Sequence, residues 1–118
     1  MSDLPSDVAT DVATGVATAV TIEFVWLVEA TYAPDAAETR VPFRAEHLAG
    51  VQARKDAGVY IEAGAFVDVS GSVILVRAAD EAEAIAIVSD DVYLRNGVWV
   101  EIRARQFGRV ARAGAGAA

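Results

Sequence analysis

The chain has 118 residues, a net charge of −7 and a pI near 4.5; this suits one domain, and an acidic surface repels the phosphate backbone, so nucleic acid is not expected as a partner. It has no cysteine, which excludes disulfides, thiolate metal sites and cysteine nucleophiles. No apolar run approaches the ~20 residues that span a bilayer, and the first residues include Asp3, Asp7 and Asp11 but no Lys or Arg, unlike a secretory signal, so a cytoplasmic location away from membranes is expected.

Residues 1–20 carry a near-repeat of four, Asp7-Val8-Ala9-Thr10 followed by Asp11-Val12-Ala13-Thr14 and Gly15-Val16-Ala17-Thr18. Four is neither the strand period nor 3.6, and Val and Thr disfavour helix. The segment reads as a poorly ordered leader or an extension upstream of a misplaced start. The domain is expected over residues 21–110, with a flexible tail at 111–118. Residues 22–28 are β-branched and aromatic and predict the first strand, apolar on both faces. After a loop at Tyr32-Ala33-Pro34-Asp35, a helix is predicted from Thr39 or Pro42 to Ala57, with Val41, Ala45, Leu48 and Val51 as its buried stripe. Gly58 stops it.

A second strand is predicted over residues 59–67, a turn at Ser70-Gly71 and a third strand over 72–77. The second helix starts at Asp80, where Glu83 completes a capping box, and buries Ile85 and Val88. Asn96-Gly97 signals a turn. In the last strand, 98–105, Val98, Val100, Ile102 and Ala104 should face inward and Glu101, Arg103 and Arg105 outward. Arg95, Arg103, Arg105, Arg109 and Arg112 supply half of the ten basic residues; they form either a solvated strand face or the rim of an anion site.

The order β-α-β-β-α-β predicts an α+β, ferredoxin-like two-layer sandwich with both helices on one sheet face. The other face would be uncovered and, at strand one, apolar, exposing Phe24 with Trp26 or Val25 with Leu27. A homodimer through this open sheet face is the simplest closed solution.

The order and spacing of several short motifs then become informative. They are Arg44-Ala45-Glu46-His47-Leu48, Gly58, Glu62-Ala63-Gly64-Ala65, Ser70-Gly71-Ser72, Asp91-Val92-Tyr93, Gly97-Val98-Trp99 and Gln106-Phe107. In this series the chain resembles the YciI-like (YCII-related) family of the dimeric α/β-barrel group. That pattern runs R-x-x-H-L, G, A-G-P, G-S, D-P-Y or D-P-F, G-V and P-F. Ala65, Val92 and Gln106 depart from it by standing where proline is usual, and each loses a fixed φ. The resemblance implies a His/Asp pair in a pocket, here His47 and Asp91. Relatives of the same fold include muconolactone isomerase-like and dehydrochlorinase-like proteins.

His47 is the only histidine and lies at the edge of the predicted apolar stripe. If Asp91 reaches it, the carboxylate would hold the imidazole in one tautomer. The pair could then move a proton to or from a carbon next to a carbonyl, as in isomerisation or elimination. Arg44, one helical turn earlier, could neutralise a small anionic ligand, Ser72 could donate a hydrogen bond, and Tyr93 with Trp26 or Trp99 could wall the pocket. Each has a structural counterpart: a solvated His47, a turn-capping Asp91, an Arg44 paired with Glu46 or Glu101, a packed Tyr93, core or interface tryptophans.

One histidine and no cysteine disfavour zinc, and no P-loop, dinucleotide glycine motif or Gly-x-Ser-x-Gly elbow is present. The expectation is an enzyme without metal or organic cofactor that transfers a proton on a small acidic or cyclic carbonyl compound. The competing expectation is a non-catalytic dimeric module that binds small molecules or assembles.

Overall fold

A computed structural model describes residues 19–112. The expected leader, up to residue 18, and the tail from 113 lie outside the described residues. Within them the order is β1 (Val20–Tyr32), α1 (Ala36–Thr39), a 3-10 turn (Val41–Phe43), α2 (Arg44–Asp56), β2 (Tyr60–Ala65), β3 (Gly71–Val76), α3 (Glu81–Ser89), α4 (Val92–Arg95) and β4 (Trp99–Arg112). The sheet order is β2-β3-β1-β4, with β3 antiparallel to both neighbours. This is a ferredoxin-like α+β arrangement of one four-stranded sheet with helices, its sheet open rather than closed.

Residues 26–106 form one compact unit; described residues 19–25 and 107–112 belong to a second. In the second unit Arg109 donates to Glu23 at 2.8 Å. A side chain on Gly108 would meet the Ile22 methyl at 2.9 Å, so the backbone there requires glycine or a shift of Ile22.

In the larger unit, strand alternation decides what faces the helices. Trp26, Val28 and Ala30 pair with Val76, Ile74 and Ser72, and this face carries the core with Ala84, Val88, Val92 and Tyr93. Leu27 pairs with Leu75 and Glu29 with Val73 on the opposite face. A register shift between Tyr60 and Glu62 lets Tyr60, opposite Val76, and Ala63, opposite Ile74, share the helix face although they stand three positions apart.

The helix stripes differ from expectation. Val51 packs on the core, but Val41 is exposed and Leu48 is 48 % exposed. The side of α2 that turns inward is His47, Gly50, Val51 and Arg54, a helical spacing set by polar contacts to the next two helices rather than by apolar periodicity. In α3 the fully buried pair is Ala84 and Val88, with Ile85 half-buried; i and i+4 put the small alanine where helix and sheet approach most closely.

Asp80 caps α3 by accepting from Glu83 N–H at 2.9 Å, and the Glu83 carboxylate accepts from the Ala79 N–H. Between β2 and β3 the turn is residues 66–70, not Ser70-Gly71. Phe66 N–H donates to Gly71 C=O, Val69 N–H to Phe66 C=O and Ser70 N–H to the Asp68 carboxylate. Val69 takes φ 58°, a left-handed conformation strained for a β-branched residue.

In β4 the alternation breaks at its start. Val98 and Trp99 are both buried and Val100 is 58 % exposed; Ile102 and Ala104 do pack inward. Trp99 turns in because its indole completes the aromatic group around His47. Four of the five C-terminal arginines stand beside carboxylates. Arg95 pairs with Glu46, Arg103 and Arg105 with Glu29, and Arg109 with Glu23.

Candidate functional site

Asp91 is built into the chain as a cap. It precedes α4, and its Oδ1 accepts the Tyr93 N–H at 2.8 Å, which is how an acidic N-cap satisfies an otherwise unpaired helix donor. Proline is common at the position after such a cap. Val92 stands there and is buried in the core, so burial replaces the fixed φ. The cap fixes the carboxylate, and α2 brings His47 to it. His47 Nδ1 lies 2.8 Å from both Asp91 oxygens, and both side chains are largely buried, at 10 % and 6 % exposure.

The imidazole plane is held as well. Tyr93 stacks on it with centroids 3.8 Å apart and planes 5° from parallel. Trp99 meets it edge-on at 5.4 Å, and Tyr32 packs edgewise on Tyr93 and Trp99 at 6.1 and 6.4 Å. With Nδ1 directed at a carboxylate, it carries the proton of the neutral ring, and Nε2 is left with a lone pair. His47 also borders a cavity of about 340 Å³.

That cavity has three kinds of wall. Arg40 and Arg44 stand on one side. Tyr32 and Ser72 are buried, and the Ser72 hydroxyl donates to the Tyr32 oxygen at 3.3 Å. Leu48, Val51, Ile74, Phe66 and Val67 supply apolar surface. A smaller cavity of about 180 Å³ lies against His47 and Asp91, bordered by Arg54, Asp90, Arg95 and Glu46. Ion pairs Arg54–Asp90 at 3.0 Å and Arg95–Glu46 at 3.6 Å join α2 to the ends of α3 and α4 there; exposed pairs of this kind contribute at most about 1 kcal/mol each.

Two buried polar atoms beside the imidazole, the Tyr93 hydroxyl and Trp99 Nε1, make no hydrogen bond. Burial raises the Tyr93 pKa and the nearby Tyr32 hydroxyl adds to the rise, while Arg44 and then Arg40 act against it. Tyr60, beneath α2, is pushed up to about 12, chiefly by burial; Arg54 opposes this and Asp91 and Asp90 add to it.

Of the residues singled out in the sequence, His47, Asp91 and Tyr93 come together, and Arg44 and Ser72 border the same cavity. Tyr93 lies behind the imidazole rather than on the cavity wall. Trp99 joins this group, whereas Trp26 packs in the core. Glu46, a partner considered for Arg44, pairs with Arg95 instead. Sequence reading missed Tyr32, taken as the start of a loop but in fact the last residue of β1, and Arg40. Arg40 lies between α1 and the 3-10 turn, ahead of the helix that carries Arg44 and His47, so no helical spacing in the sequence singles it out.

Residues 24–108 match the YCII-related domain family. The chain belongs to that family. Among solved structures, this YCII-related chain is similar to the 5-chloro-2-hydroxyhydroquinone dehydrochlorinase TftG from Burkholderia phenoliruptrix AC1100, determined in complex with 2,5-dihydroxybenzoquinone. The TM-score is 0.62 at 18 % identity, covering 70 % of this chain and 92 % of that one, a likeness of fold. No curated protein matches the sequence. No helix among the described residues is long and apolar enough to cross a membrane.

Proposed function

We propose that this YCII-related protein is a cofactor-independent enzyme of isomerase or lyase type. It would use the His47–Asp91 pair to transfer a proton on a small acidic or cyclic carbonyl compound. The observation that carries the proposal is the placement of His47 Nδ1 2.8 Å from both Asp91 oxygens, beside a cavity large enough for one small ring. Asp91 holds the proton on Nδ1, so the Nε2 lone pair is free to take a proton from a carbon next to a carbonyl. The imidazolium so formed is stabilised by the carboxylate it touches. The electron pair left by the C–H bond moves onto the carbonyl oxygen, where the Tyr32–Ser72 hydroxyl pair supplies a hydrogen bond. Returning the proton to a different carbon completes an isomerisation; expelling a neighbouring leaving group completes an elimination. A dehydrochlorinase of the same fold, crystallised with a dihydroxybenzoquinone, supports the second outcome on a small oxygenated ring.

The protein acts as a homodimer in this proposal. Leu27, Leu75 and Val73 lie together on the sheet face opposite the helices, and a second copy would cover them. Light scattering at micromolar concentration tests this, and a monomer would contradict it.

The catalytic reading is tested by incubating the protein with small keto acids and cyclic ketones in heavy water and following deuterium incorporation by NMR. His47→Ala and Asp91→Asn should abolish incorporation while leaving the fold intact. A compound that binds at His47 yet exchanges no faster with wild type than with His47→Ala would assign the pocket to binding without turnover.

A further inference from the structure

Arg54, Lys55, Arg95, Arg103, Arg105 and Arg109 each stand within 4 Å of a carboxylate. Arg40 and Arg44 do not, among the described residues, although the chain holds 17 acidic residues against ten basic ones. Both border the cavity that His47 borders. Both also oppose the rise that burial imposes on the pKa of the Tyr93 hydroxyl, Arg44 more than Arg40. Two like charges lining one cavity repel each other. Among the described residues the fold places no carboxylate within 4 Å of either guanidinium, whereas it does so for Arg54, Arg95, Arg103, Arg105 and Arg109.

A guanidinium is a rigid fork that matches a carboxylate in geometry as well as charge. The remaining walls narrow the ligand further. Leu48, Val51, Ile74 and Phe66 present apolar surface, suited to a flat hydrocarbon body, and the Tyr32–Ser72 pair suits one neutral oxygen.

We propose that Arg40 and Arg44 form a carboxylate clamp, so that the pocket selects a small, flat acid held between two guanidiniums with its body on the apolar wall and its carbonyl-bearing carbon at His47. This rests on the reading of the pocket as the substrate site and names the class of substrate it takes. Arg40 is a specificity-determining residue in this arrangement, and it lies outside the proton-transferring pair.

The test needs no turnover. The ring signals of the single histidine are followed by NMR while benzoate or its neutral counterpart benzamide is added at constant ionic strength. Benzoate should shift them saturably, and benzamide should bind about tenfold more weakly, the factor expected from losing one charge-assisted contact. Arg40→Gln should weaken benzoate about tenfold and leave benzamide unchanged, and Arg40→Lys should restore part of the loss. Equal binding of the two probes, an unchanged benzoate affinity in Arg40→Gln, or no saturable shift up to the solubility of benzoate would each overturn the clamp. The two readings fail differently. If only the clamp is wrong, neutral ketones exchange deuterium as fast as keto acids. If only the proton-transfer reading is wrong, benzoate still binds through Arg40 and nothing exchanges.

Discussion

Asp91 serves two buried donors at once, and replacing it in two ways separates them. Its Oδ1 caps α4 through the Tyr93 N–H, and both oxygens face His47 Nδ1, with all three contacts at 2.8 Å. In Asp91→Ala the cap is lost, which costs about 1 kcal/mol, and the buried imidazole N–H loses its acceptor, which costs about 1–3 kcal/mol. A loss of about 2–4 kcal/mol is therefore expected. Asn caps a helix as well as Asp does. Its oxygen can keep the Tyr93 N–H, which leaves its amide nitrogen against His47 Nδ1, where it must donate. The ring can meet that by moving its own proton to Nε2, so Asp91→Asn should cost about 1 kcal/mol or less. The assay is urea unfolding at one fixed protein concentration, with the slope unchanged among variants. Equal losses in the two variants, or a loss below about 1 kcal/mol in Asp91→Ala, would refute the claim that one carboxylate holds both donors.

Other substitutions probe the surroundings. Tyr60 has its pKa raised to about 12 in the folded chain, so the unfolded chain releases that proton first. Its contribution is complete below about pH 10 and is lost as pH rises through about 12; Tyr60→Phe should flatten the alkaline fall in stability over that window, measured by unfolding at a series of pH values. Trp99 is fully buried with an unpartnered Nε1. Trp99→Ala should cost about 3–5 kcal/mol, whereas Trp99→Phe should cost clearly less because it also removes a buried donor without an acceptor; equal costs by urea unfolding would speak against a strained indole N–H. Asp80→Ala should lose the α3 cap and about 1 kcal/mol, with Asp80→Asn close to wild type in the same assay.

The backbone plan was legible because it rests on signals that do not depend on partners. Strand-forming runs, Gly58 and Gly97 at positive φ and the Asp80–Glu83 box each act within a few residues. The site was legible only in part. His47 and Asp91 are 44 positions apart, and their motifs indicate the pair only through family resemblance; nothing local to either residue states that they touch. The α2 stripe was misread because periodicity counts apolar residues, and this helix turns its histidine and Arg54 inward to meet Asp91 and Asp90. Leu48 is left at the cavity wall, where an exposed leucine faces the space a ligand would fill. Trp99 broke the expected alternation of β4 for the same reason, since its place is set by the imidazole rather than by the strand. Two of the disagreements between local pattern and observed placement, at α2 and at Trp99, fall around His47.

The most direct test of the account is the nitrogen-15 spectrum of the His47 ring at a pH where the ring is neutral, in wild type and in Asp91→Asn. One histidine is present, so no assignment is needed. The account predicts that wild type carries its proton on Nδ1 and presents an unprotonated Nε2 to the cavity, and that Asp91→Asn reverses this. A wild-type ring protonated on Nε2 would mean that no base faces the pocket, and the proposed proton transfer would be contradicted.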